Sequence, residues 1–112
     1  MKLESGDAGD FQLVRVCEPR IDAVAAIRFK DRMRELTSGD APHVVLDLSE
    51  VGFIDSSGLG AIVAAMKQLG GTRRLDLAGL TPTVDRVFRL TRMDSVFTIH
   101  GSVAEAEAVY AG

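Results

Sequence analysis

The residues of this chain whose types could do chemistry gather in one short run, Asp55-Ser56-Ser57-Gly58. An acid, two hydroxyls and a glycine stand between the apolar run Val44 to Leu48 and the amphipathic run Leu59 to Leu69. A strand that hands over to a helix here turns free backbone N–H groups outward, and the helix dipole favours negative charge at the same place. A serine in that turn is accessible, and a phosphate added to it would be well hosted.

Spacing argues against the enzymatic uses of this run. The nucleophile pattern Gly-x-Ser-x-Gly is absent, because Ile54 stands two before Ser56 and Asp55 two before Ser57. Only His43 and His100 could serve as a base, and both fall at the ends of expected strands. Gly58-Leu59-Gly60 is too short of glycines for a dinucleotide fingerprint, and no Gly-Lys-Ser/Thr completes a phosphate loop. No cluster of His, Cys, Asp or Glu has metal-ligand spacing, and no cofactor is expected. The remaining chemistry is to be a substrate. Asp55 or Ser56 would cap the helix as well, which does not exclude modification. Phosphorylation would add about −1.5 to −2 charge beside Asp55.

The elements that must position this turn can be read in order. Residues 1–9 suggest a short edge strand before the turn Gly6-Asp7-Ala8-Gly9. Phe11 to Cys17 is apolar and β-branched and reads as a strand ended by Pro19, with Cys17 a buried strand residue. Asp22 is an N-cap for a helix whose stripe is Ala26, Phe29, Met33 and Leu36, stopped at Gly39. Val24 and Ile27 project from nearly the opposite side. They read either as partner contacts beside Asp22 or as scattered surface hydrophobes. His43 to Leu48 has the near-continuous apolar character of a central strand, with His43 structural or solvated and Asp47 needing a hydrogen-bond partner at the strand end. Val51, Phe53 and Ile54 return the chain to the core.

The helix from Ser57 is expected to bury Leu59, Ile62, Val63, Met66 and Leu69 and to stop at Gly70-Gly71. Its other face is small: Gly60, Ala61, Ala64 and Ala65. That face is either an ordinary alanine-rich surface or a smooth landing place where another protein's backbone approaches the serine. Leu75 to Ala78 is a strand, Thr81-Pro82 caps a helix built on Val84, Val87 and Phe88, and Phe97 to His100 is a last strand. Arg86, Arg89 and Arg92 form a partial ridge, read as a solvated face or a contact for an acidic partner. Ser102 and Glu105 have capping-box spacing before a helix that packs through Val103, Ala106, Val109 and Tyr110. This alternation predicts an α/β fold whose sheet has several parallel neighbours joined by right-handed helical crossovers.

The 112 residues fit one domain, 1–112. A formal net charge of −3 argues against a general nucleic-acid binder. The single cysteine leaves no internal disulfide framework and fits a reducing compartment. No apolar run approaches the ~18 residues of a membrane span, and MKLESGDAGD lacks the apolar core of a signal peptide. A cytoplasmic protein, monomer or weak dimer, with no nucleic-acid or membrane partner is expected.

Val45-Leu46-Asp47-Leu48 followed by Phe53-Ile54-Asp55-Ser56-Ser57-Gly58-Leu59-Gly60 resembles the STAS domain family, and within it the anti-sigma factor antagonists. The likeness extends over almost the whole chain in element order and length. It implies a mixed sheet of about five strands with about four helices largely on one side. Arg20-Ile21-Asp22 resembles the family's earlier motif ending in aspartate, which places Asp22 near the switch. The serine after the aspartate is the one phosphorylated in that family, which carries over to Ser56. The resemblance implies a partner that is both anti-sigma factor and serine kinase, bound when Ser56 is free and released when it is phosphorylated. A PP2C-type phosphatase would reset Ser56, and ATP would belong to the kinase. The contact set expected around Ser56 is Asp22, Val24, Ile27, Asp55, Ser57, Gly58, Gly60, Ala61 and Ala64.

One departure stands out: Pro19-Arg20 replaces the Gly-Glu that many members carry there. That puts a base where an acid is usual and bears on the partner's identity, since related antagonists also serve secretion, motility or biofilm pathways. Two rival readings are a STAS accessory subunit of a lipid-transport ABC system and a small-molecule or nucleotide sensor seated at the turn.

Overall fold

The computed structural model describes residues 1–111 and holds two strand systems. The main sheet comprises β1 (Leu3–Asp7), β2 (Gln12–Val16), β4 (His43–Asp47), β6 (Arg74–Ala78) and β7 (Ile99–His100), in the order β1-β2-β4-β6-β7. A smaller parallel pair joins β3 (Arg20–Ile21) to β5 (Phe53–Ile54). The helices are α1 (Ala23–Leu36), α2 (Ser56–Leu69), α3 (Pro82–Leu90) and α4 (Val103–Ala111). β1 is antiparallel to β2, while β2, β4, β6 and β7 are parallel neighbours. Both the expected mixed sheet and the expected run of parallel pairs are therefore present.

Every residue of β4 after His43 is buried, as a strand covered on both faces requires. One face carries the main core, where Val14, Val16, Val44, Leu46 and Leu77 meet Phe29, Met33, Ile62 and Phe88 from α1, α2 and α3. The other face is covered by α4, through a smaller cluster of Phe11, Val45, Ala78 and Ala106 flanked by Tyr110. Three helices thus lie on one side and one on the other.

α4 is also tied down by a polar contact. Asp76 is 1% exposed, accepts from Arg74 Nε at 3.1 Å, lies 2.9 Å from His100 Nε2, and accepts from the Tyr110 hydroxyl. Burial would raise the Asp76 carboxyl, but bonds from Tyr110, His100 and Arg74, with the Arg74 charge, hold it below the ordinary value. Burial, and then the bond to Asp76, push the Tyr110 phenol up to about 12. His43 stacks on the same ring, with centroids 4.6 Å apart.

Several local expectations are corrected. β1 runs through Gly6 and Asp7, and the turn falls after them, closed by Ala8 N–H to Phe11 O at 2.9 Å. Cys17 lies just past β2 and is half-buried beside Glu4 rather than in the core. α1 is closed by Thr37, whose backbone and hydroxyl both bond to the Met33 carbonyl, so Gly39 is not needed as a stop. The Thr81 hydroxyl ties α3 to Val51 O at 2.8 Å instead of capping its own helix. Arg86, Arg89 and Arg92 are exposed, as the solvated-face reading has them, with Arg89 paired to Asp85 and Asp94. Residues 93–95 form a 3-10 turn, leaving the last strand only Ile99 and His100. Val109 is exposed rather than packed.

Candidate functional site

The pair β3–β5 determines the site. Arg20 lies opposite Phe53 and Ile21 opposite Ile54, so the two chains leave the ladder side by side. Each next residue is an aspartate that caps a helix: Asp22 for α1 and Asp55 for α2. An apolar residue, an acid and a small residue therefore occur twice in matching places, as Ile21-Asp22-Ala23 and Ile54-Asp55-Ser56. The result is two helix N-termini lying next to each other.

Asp22 Oδ1 accepts from Ala25 N–H at 3.1 Å, the ordinary N-cap bond. Asp55 does more. Its Oδ1 accepts from Gly58 N–H of its own helix at 2.9 Å, and its Oδ2 accepts from Ala23 N–H, the first of α1, at 3.1 Å. One carboxylate thus satisfies orphan donors of two helices and fixes their relative position. Gly58 makes this close approach possible. A Cβ there would be driven into the Ile21 carbonyl oxygen and would lie 2.9 Å from both the Ile21 carbonyl carbon and Ile54 Cγ1.

Ser56 is the first residue of α2 and is exposed, as is Ser57. Their N–H groups belong to the first turn, where an α-helix leaves donors without internal partners. A phosphate on Ser56 would stand at the positive end of the α2 dipole, with the Asp55 carboxylate beside it. Neither histidine is available as a base here, since both belong to the Tyr110 cluster under α4. Ser56 therefore presents an exposed hydroxyl with neither histidine placed beside it.

The expected contact set divides. Val24 and Ile27 are 80% and 65% exposed. Gly60 is exposed and Ala64 half-buried. Asp22 and Asp55 are half-buried and spent as caps. Gly58 and Ala61 are corrections: both are buried, Ala61 at 3% exposure, and neither can meet a partner directly. Gly58 is pressed on β3 and β5, and the rest of the buried line faces the α1 side. The buried line of α2 is Gly58, Ala61, Ile62, Ala65 and Leu69, whereas Leu59, Val63 and Met66 lie half-buried on its flank. Small residues let the two helices approach, so much of the expected landing face is already occupied by this chain's own α1.

Phe53 also departs from its expected place in the core. It is 40% exposed, and the Arg20 guanidinium stacks on its ring, 4.6 Å from Cζ to centroid. A two-residue strand has no periodicity to reveal which side faces out. The matched apolar-Asp pattern in β3 and β5 was the available signal.

The model of the STAS domain matches residues 8–106. Among curated relatives, the anti-sigma-B factor antagonist of Listeria monocytogenes is 32% identical over 80 residues, which span 70% of each chain. The crystal structure of an anti-sigma factor antagonist from Mycobacterium paratuberculosis superposes with a TM-score of 0.87 at 24% identity, over 99% of this chain and 94% of that one. The phosphorylated form of the Bacillus cell fate determinant SpoIIAA does so with a TM-score of 0.67 at 17% identity, over 96% and 99%. At such identities the two solved structures speak for the fold alone. The family match covers both capped helix starts and the exposed serine between them, and this chain belongs to the STAS domain family.

Proposed function

We propose that this chain is an anti-sigma factor antagonist controlled by phosphorylation at Ser56. Unphosphorylated, it docks on an anti-sigma factor that is also a serine kinase, and so frees that protein's target. Phosphorylated, it is released, and a PP2C-type phosphatase resets it. ATP is bound by the kinase, and this chain acts as substrate and ligand rather than enzyme. Its place is the cytoplasm, consistent with the lack, among the described residues, of any helix long and apolar enough to cross a membrane.

The observation that carries the reading is the exposed Ser56 at the first position of α2, on a turn already held by Asp55. The Listeria relative's name supports it. The phosphate adds about −1.5 to −2 charge to the surface a partner must cover. Against an apolar or acidic docking face, a loss of roughly 2–4 kcal/mol weakens binding about 30- to 1000-fold.

The test is phosphosite mapping after incubation with the cognate kinase, with binding of two variants. Ser56→Ala should bind and take no phosphate, and Ser56→Asp should fail to bind. Equal binding by both variants, or a phosphate mapped elsewhere, refutes the proposal.

A further inference from the structure

Six large hydrophobic residues are exposed among the described residues, and Val24, Ile27 and Phe53 are on the elements that meet beside Ser56. The acids of this surface already hold hydrogen bonds. Asp22 and Asp55 give their oxygens to helix N–H groups, and Glu18 accepts from Lys2 N–H at 2.9 Å. Arg20 and Arg28 line a groove of about 300 Å³ together with Val24, Glu18 and Asp22.

Arg20 is held without being neutralised. Its ion pair with Asp22 runs through Nε at 3.5 Å, longer than an ordinary hydrogen bond, and its side chain is 60% exposed. Contact with the Phe53 ring, 4.6 Å from Cζ to centroid, restricts the guanidinium while most of the side chain stays in solvent. A planar fork with its orientation already restricted is suited to a carboxylate, which it can grip through two parallel bonds.

We infer that Arg20, seated on Phe53, selects the partner by pairing with an Asp or Glu side chain that the partner presents beside an apolar contact for Val24 and Ile27. This rests on the partner-switching reading of Ser56 and adds which partners that switch accepts. An anti-sigma factor presenting a base at this point is rejected by charge; one presenting an acid is accepted.

The experiment immobilises the full chain in four forms: wild type, Ser56→Asp, Arg20→Glu and Arg20→Lys. Each is exposed to extract of the source cells. A protein held by wild type and released by Ser56→Asp is purified and titrated against all four. Arg20→Glu should weaken binding about 10- to 100-fold and Arg20→Lys only a few-fold, since lysine keeps the charge without the fork. Exchanging one acidic residue of the captured protein for arginine should then restore binding to Arg20→Glu. Arg20 and Ser56 are exposed, so all forms should unfold close to the wild-type midpoint. If Ser56→Asp releases the protein while Arg20→Glu binds it like wild type, the selection role falls and the switch stands. If no captured protein distinguishes wild type from Ser56→Asp, both fall. Self-association in sedimentation that Arg20→Glu abolishes would assign the face to a second copy of this chain and overturn the inference.

Discussion

Gly58 and Gly60 lie two residues apart on α2, and alanine should act on them with opposite sign. In a helix interior, replacing glycine by alanine gains about 0.8–1.0 kcal/mol of intrinsic propensity. Gly60 is open, with nothing within 4 Å of an added Cβ, so Gly60→Ala should realise most of that gain. At Gly58 the Cβ meets the Ile21 carbonyl oxygen, with Ile54 Cγ1 2.9 Å away. Ile21 is fully buried and belongs to the β3–β5 ladder, so no change of rotamer relieves the overlap. The first turn of α2 must move away, stretching the bridge from Asp55 to Ala23. Overpacking costs about 1–3 kcal/mol even where side chains can yield. With backbone as the obstacle, a gross cost near the upper end leaves Gly58→Ala about 2 kcal/mol less stable than wild type. The two variants should then differ by about 3 kcal/mol, a gap of about 1–3 M in urea midpoint. Equilibrium urea unfolding followed by circular dichroism reads this directly. Gly58→Ala unfolding at or above the wild-type midpoint would refute the reasoning that this glycine exists to let α2 touch β3.

Two further predictions concern polar ties. Asp55→Ala removes the acceptor for two helix N–H groups and should cost about 1–3 kcal/mol by urea unfolding, more than Asp22→Ala at about 1 kcal/mol; equal losses would show that the bridge to α1 contributes nothing. Tyr110→Phe keeps the ring but removes the bond to buried Asp76, and should cost about 1–2 kcal/mol near neutral pH. The folded protein holds the phenol proton more tightly than the unfolded chain does. The stability Tyr110 supplies is therefore complete below its unfolded value of about 10 and lost as pH rises through about 12. The phenylalanine variant should lack this part of the alkaline decline. Asp76 has the reverse sign: its lowered value gives stability above the ordinary carboxylate range, lost as pH falls through the lower folded value.

Long periodic segments made the scaffold legible. The stripe Ala26, Phe29 and Met33 on α1 and the apolar run of β4 are where the spacing put them, and the exposure of Val24 and Ile27 followed from the same geometry. α2 was harder because its sequence carries two stripes. Leu59, Ile62, Val63, Met66 and Leu69 make one; Gly58, Ala61, Ile62, Ala65 and Leu69 make the other, sharing Ile62 and Leu69. Hydrophobicity favours the first, but a neighbouring helix at close range favours the second, and the neighbour is not written in the segment itself. Asp76 shows the same limit. Alternation with Leu75 and Leu77 puts it on the face opposite the main core, and only the docking of α4 makes that face an interior. β3 and β5 are too short for any period to speak.

The arrangement at Asp55 bears on how a phosphate could act as a switch. A modification can change docking by reshaping the surface or by recharging it. Reshaping needs an element with two arrangements close in energy. Here the turn that carries Ser56 is held by one carboxylate shared between two helix starts, and by a glycine pressed on the backbone of the neighbouring strand. Each of these contacts resists movement, and none involves the serine side chain. A phosphate on Ser56 would also gain from the α2 dipole about what a single exposed charge gains at a helix start, about 0.3–1 kcal/mol. Repulsion from the adjacent Asp55 works against that gain, so neither folding nor unfolding of the turn is strongly driven. The change that remains is in the field a partner meets. Such a switch needs a partner whose affinity depends on charge at this surface, which is the property that Arg20, on the strand paired with β5, would sharpen.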